Sequence, residues 1–220
     1  MKQLLAVLML VLMPSIGNAD EGHIVVVWDN SGFMQDHLNT SSDENDRSRP
    51  GVVQAQLMLL DYLKDNRDRS DFLTIVPVNL PQVVWQGSPR RVKDRSNQTL
   101  GDLMRKPFAG CSNFVDVMEV VDRAVAKEKR PLTEIIFLSS LFHTPGSTRG
   151  GDCEADPSDL SPEFPEEVMD RLVELNLNVG TKIQFFWVFD TIQGQVDDYF
   201  LSKGVPVTLL GEQATFQELK

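Results

Sequence analysis

Asp29 and Ser31 stand two residues apart directly after the apolar run Ile24–Trp28, in the stretch IVVVWDNSGFM. An acid and a hydroxyl released from a buried strand can supply oxygen ligands to a hard cation such as magnesium, which takes near-octahedral oxygens. They can equally hydrogen-bond the backbone of their own loop. Two other segments offer related chemistry. FAGCSNF sets Ser112 and Asn113 just before an apolar-periodic stretch that opens at Phe114, where either could cap a helix or, for Ser112, serve as an oxygen ligand. EIIFLSSLFH delivers Ser139, Ser140 and His143 from a second apolar run. A hydroxyl near an imidazole is a nucleophile only with an orienting acid and an oxyanion hole, and closeness in sequence supplies neither.

The elements that must position these residues alternate regularly. Ile24–Trp28 reads as a strand covered on both faces. TSSDENDRSRPG reads as an exposed loop, and Val53, Leu57, Leu60 and Leu63 recur at the spacing of an amphipathic helix ending near Lys64. DFLTIVPVN is a second strand, and QVVWQG a short third at an edge, beside Pro77 and Pro81. Leu100–Arg105 reads as a short helix. Phe114, Val117, Met118, Val121 and Val125 line one face of a longer one, from about Asn113 to Lys129. EIIFLSS is a buried strand whose exit, Leu141 to Pro165, has no periodicity. Helix from Glu166 to Leu177, strand KIQFFWVF, helix VDDYFLSKG and strand VPVTLLG complete the order. Helices alternating with buried strands predict an α/β fold, a doubly wound, mostly parallel sheet flanked by helices, with its sites beyond the carboxyl ends of the strands.

Residues 1–19 stand apart. Lys2, the apolar run LLAVLMLVLM and the small residues Gly17-Asn18-Ala19 read as a cleaved secretory signal, leaving residues 20–220 as one domain, periplasmic or secreted. No later run is long enough to span a bilayer, so no stable membrane insertion is expected. The formal net charge of -11 disfavours nucleic acid and anionic membrane as partners. In an oxidising compartment the two cysteines allow one bridge, Cys111 to Cys153; the alternative is two separate thiols.

The strand-end residues together resemble the von Willebrand factor A domain, whose metal-ion-dependent adhesion site is built from three loops. The family's first loop reads Asp-x-Ser-x-Ser; here it is Asp29-Asn30-Ser31-Gly32-Phe33. Its second carries a threonine before a helix; GCSNFVDVM has Ser112 there. Its third ends a strand with aspartate; IIFLSSLF has Ser140. The resemblance runs from about residue 22 to 210 and implies a six-stranded, mostly parallel sheet with one short antiparallel edge strand. It also implies a metal site of Asp29, Ser31 and Ser112. Phe33 and Ser140 remove a hydroxyl and a carboxylate from it, so weak or absent magnesium binding is predicted and no cofactor is required. A divalent cation could regain donors from GGDCEADPSD, which holds Asp152, Glu154 and Asp156, although that loop lacks the EF-hand glycine and reads first as a solvated acidic loop.

No enzyme motif is complete. Position 31 is serine where the haloacid dehalogenase family needs a second aspartate. Gly-x-Ser-x-Gly, the Gly-Lys phosphate loop and Gly-x-Gly-x-x-Gly are absent, and His23, His37 and His143 share no zinc-type spacing. The sequence therefore points to a non-enzymatic protein-interaction module serving a protein partner, with an envelope-spanning complex such as a secretion or conjugation machine as the analogous setting. Its expected interaction face is Phe33, Asn30, Asn113, Ser140, His143 and Asp152. A remodelled metal-dependent adhesion module and a hydrolase using strand-end Ser, His and Asp residues are the alternatives.

Overall fold

The computed structural model describes residues 22–31, 50–66, 70–92, 110–144, 146, 148–149, 152–153 and 163–211. The leader, Phe33, His37, the 100–105 helix, Glu154 and Asp156 lie outside the described residues.

In chain order the elements are β1 (His23–Trp28), α1 (Pro50–Asp65), β2 (Phe72–Pro77), β3 (Trp85–Gly87), α2 (Phe114–Lys127) and β4 (Leu132–Leu138). Then come β5 (Thr148–Arg149), β6 (Asp152–Cys153), α3 (Glu166–Val179), β7 (Lys182–Val188), α4 (Asp190–Ser202) and β8 (Val207–Gly211). Six strands form one sheet in the order β3-β2-β1-β4-β7-β8. All neighbours are parallel except β3, a short edge strand antiparallel to β2. β5 and β6 form a separate two-stranded ribbon.

Strand alternation sends each face of the sheet into its own core. Val25, Val27, Ile135, Phe137, Ile183 and Phe185 meet α2, α3 and α4 on one face. Four aromatic rings, of Phe114, Phe137, Phe164 and Phe185, pack there at centroid distances of 5.2 to 6.2 Å. Phe164 thereby pins the far end of the long loop in the core, and the Gln195 side chain bonds both its N–H and its carbonyl, at 2.9 and 3.0 Å. Ile24, Val26, Trp28, Ile136 and Leu138 point to the other face, against α1.

The helix α1 forms where its pattern predicts, with Pro50 opening it, but it turns a different arc inward. Met58, Leu59 and Tyr62 are buried, whereas Leu57 and Leu60 are 45% and 47% exposed. The segment is apolar around most of its circumference. Positions 58, 59, 62 and 63 fall within about 140° at 100° per residue, and that arc removes more apolar surface from water than Leu57 with Leu60 would.

Candidate functional site

The sheet ladder itself brings the first polar group to its place. Beyond Trp28 the Asp29 N–H still pairs with β4, donating to the Leu138 carbonyl at 3.0 Å, so Asp29 comes to lie beside Ser139. Ser139 N–H in turn donates to the Phe186 carbonyl of β7 at 3.1 Å. Side chains at odd positions of β1 and β4 share the face occupied by α2, and both Asp29 and Ser139 continue that phase. Ser139 Oγ therefore donates to Asp29 Oδ2 at 2.6 Å, and accepts from the Leu141 N–H at 2.9 Å. Ser140 is out of phase: its Oγ accepts from the Phe142 N–H at 3.4 Å. Sequence reading passed over Ser139 in favour of Ser140; the odd phase of Ile135 and Phe137 was the signal that identifies it.

Asp29 is fully buried, and its other oxygen, Oδ1, accepts the Ser31 N–H at 3.1 Å. Burial pushes its carboxyl above the usual range, against the lowering effect of the Ser139 and Ser31 hydrogen bonds. Ser112 reaches this pair from the start of α2, its Oγ donating to Ser31 Oγ at 2.6 Å. The buried chain Ser112–Ser31–Asp29–Ser139 thus joins the β1 exit, the α2 start and the β4 exit.

A second set of bonds holds Ser112. Its N–H donates to Thr144 Oγ1, and its carbonyl accepts the Thr144 N–H at 3.1 Å. The ring nitrogen Nδ1 of His143 lies 3.1 Å from the same carbonyl and 3.4 Å from the Phe114 N–H. Burial lowers the His143 pKa. Asn113 rather than Ser112 caps α2, its Oδ1 accepting the Val115 and Asp116 N–H groups at 3.2 and 3.3 Å. Asn113 Nδ2 also donates to the Gly146 carbonyl at 3.1 Å, so the cap ties down the long loop. Cys111 and Cys153 form a disulfide between positions 42 apart, which fastens the β5–β6 ribbon beside Ser112.

Two non-glycine residues take left-handed backbone here, Leu141 at φ 65° and Trp187 at φ 74°. Leu141 follows the β4 exit, which borders the hydroxyl chain, and Trp187 lies within β7 where its register against β8 shifts between Phe186 and Val188. Such conformations are held only by surrounding structure; both side chains are buried.

The expected site residues are thereby placed. Asp29, Ser31, Ser112 and Ser140 are fully buried, Asn30 and His143 nearly so, Asn113 is half-buried, and Asp152 lies in β6. The expected ligand set, Asp29, Ser31 and Ser112, is a poor fit for a divalent ion: Asp29 is its one carboxylate, and both Asp29 oxygens already accept hydrogen bonds. The Ser31 and Ser112 hydroxyls hydrogen-bond each other at 2.6 Å. Among the described residues no group of three or more His, Cys, Asp or Glu side chains gathers to replace the lost donors.

No protein-family model matches the chain. No curated protein sequence matches it. Among solved structures it is similar to the PilB minor pilin from Streptococcus sanguinis. Its D319A mutant superposes with a TM-score of 0.56 at 10% identity, over 93% of this chain and 60% of that one. A second structure of that pilin gives 0.53 at 11% identity, over 92% and 59%. The chain therefore spans about three-fifths of the length of the pilin chains it matches. BatB from Bacteroides thetaiotaomicron gives 0.49 at 9% identity, over 90% and 94%. At these identities the likeness to the pilin is one of fold alone.

Proposed function

We propose that this chain is an extracytoplasmic protein-interaction module of the von Willebrand factor A type, whose strand-end loops engage a protein partner without a bridging ion. The observation that carries the reading is the 2.6 Å bond from Ser112 to Ser31, in which two hydroxyls at the family's ion-binding positions satisfy each other. Hydrogen bonds then do the joining of three loops that an ion does elsewhere in the family. The Cys111–Cys153 bridge supports an oxidising compartment, periplasmic or outside the cell. The fold is similar to that of a minor pilin, and by analogy the partner belongs to a multi-protein envelope assembly, secretion and conjugation machines included.

Catalysis has no part in this reading. Ser139 is committed to Asp29 and Leu141, and the His143 ring engages the Ser112 carbonyl rather than a hydroxyl. The test is photocrosslinking in cells from benzoylphenylalanine at Phe142, a half-buried aromatic position at the β4 exit. A crosslinked species of equal yield with and without EDTA is expected. Its loss on chelation would restore ion-dependent adhesion, and its absence in both conditions would remove the interaction reading.

A further inference from the structure

The turn between β2 and β3, residues 78–84, is fastened at both ends and carries apolar side chains between. Val78 N–H donates to the Trp28 carbonyl at 2.9 Å and Val84 N–H to the Ile75 carbonyl at 3.0 Å. Asn79 N–H donates to Asn30 Oδ1 at 3.3 Å, which ties the turn to the loop of Asp29. Leu80 and Val83 are nonetheless 41% and 37% exposed, and Pro81 between them fixes one backbone angle. Because β2 runs parallel to β1, the turn stands at the same sheet edge as the hydroxyl chain. A turn held in this way has little conformational freedom left to lose on binding, the property of a preorganised anchor.

The described helix starts at this edge are acidic. The starts of α2, α3 and α4 lie at this edge and carry Asp116, Glu166, Glu167 and Asp190, with Glu163 exposed just ahead of α3. Helix dipoles favour acids at these positions. The first turns of α2, α3 and α4 thus carry acids and no Lys or Arg, while Lys64, Lys127, Lys182 and Lys203 sit at the opposite end. Val78 belongs to the same core cluster as Phe114 and Val117, and α2 packs against β2, so the first turn of α2, with Asp116, begins on the side of the sheet that carries the turn. The whole chain carries a formal net charge of -11.

We propose that the β2–β3 turn is the docking surface for a cationic, apolar polypeptide segment of a protein partner. Leu80 and Val83 cover the partner's apolar side chain, and Asp116 with the neighbouring helix-start acids faces its Lys or Arg. The proposal rests on the interaction reading above and specifies where and with what chemistry contact is made.

The test is binding of the purified protein to arrays of synthetic fifteen-residue peptides in three classes: Leu/Phe with Lys/Arg, Leu/Phe with Asp/Glu, and Lys/Arg with Ser/Gly. The first class is expected to bind, weakening as salt rises, and roughly tenfold less well to the Leu80→Glu, Val83→Glu double variant. The milder pair Leu80→Ser, Val83→Thr guards against misfolding, and Leu201→Glu, changed at a 74% exposed residue at the far end of α4, should bind as the parent does. Equal binding of acidic apolar peptides, no loss in either turn variant, or no binding to any class would overturn the proposal. Persistence of the Phe142 crosslink in the turn variants would then show that the interaction reading survives without this surface; disappearance of both signals would remove the two together.

Discussion

Ser112 Oγ lies 2.6 Å from Ser31 Oγ, joining positions 81 residues apart in sequence. The contact unites the β1 exit with the start of α2, and through Asp29 it continues to Ser139 on β4. Ser31→Ala and Ser112→Ala should each cost about 1 kcal/mol or more. The double variant should cost less than their sum, with a coupling of about 0.5 kcal/mol or more, because either change alone already breaks the bond. Urea denaturation of the four proteins measures this, and strict additivity would show that the hydroxyls do not interact.

Ser139 and Ser140 are neighbours of the same type in unequal places. Ser139→Ala removes a hydrogen bond from a fully buried carboxyl and an acceptor from the Leu141 N–H, so a loss of about 1–3 kcal/mol is expected. Ser140→Ala gives up one long bond to Phe142 and should cost less than about 1 kcal/mol. Equal denaturation midpoints for the two variants would contradict the assignment.

Joining residues 42 apart, the Cys111–Cys153 bridge shortens the unfolded chain's reach. In the chain-entropy account this is worth about 4 kcal/mol. The Cys111→Ser, Cys153→Ser pair should unfold at markedly lower urea than the oxidised parent, and reductant should move the parent toward the variant. A midpoint insensitive to reductant would mean that the bridge is not formed in solution.

Stability should fall on mild acidification. Burial holds the His23 imidazole below its ordinary pKa, and the ring bonds Thr74 Oγ1 at 2.8 Å while its buried Nδ1 has no partner. The unfolded chain takes up this proton near pH 6.5 and the folded chain only lower. His23 therefore contributes stability that is full above about 6.5 and lost as pH falls through the depressed folded value. Asp29, raised by burial, has the opposite sign: its protonation as pH falls favours the folded state. Thermal midpoints between pH 7.5 and 5 should drop less for His23→Gln than for the parent; parallel curves would rule out this source.

What the sequence made legible follows from where information is local. Continuous apolar runs such as Ile24–Trp28 and Ile135–Leu138 identify strands buried on both sides, and their alternation with helices gives the sheet its order. The arc of α1 was less legible, because Leu57 and Leu60 match the helical period as well as Met58 and Tyr62 do, and the choice depends on which arc fits the sheet. The convergence of three loops could be inferred from strand polarity, but the hydrogen bonds among them could not. Whether Ser139 or Ser140 meets Asp29 depends on strand phase across the β1–β4 register, and whether Ser112 or Asn113 caps α2 depends on where the helix begins. Both are set by tertiary packing rather than by residue type.

We propose that the Ser112–Ser31–Asp29–Ser139 chain joins its three loops without a metal ion. Isothermal titration of the metal-stripped protein with magnesium, manganese and calcium, alongside Asp29→Ala, tests it most directly. No saturable heat up to millimolar cation in either protein is the predicted result. Saturable binding at millimolar or lower concentration that Asp29→Ala abolishes would contradict the account and mark the cluster as a working ion site.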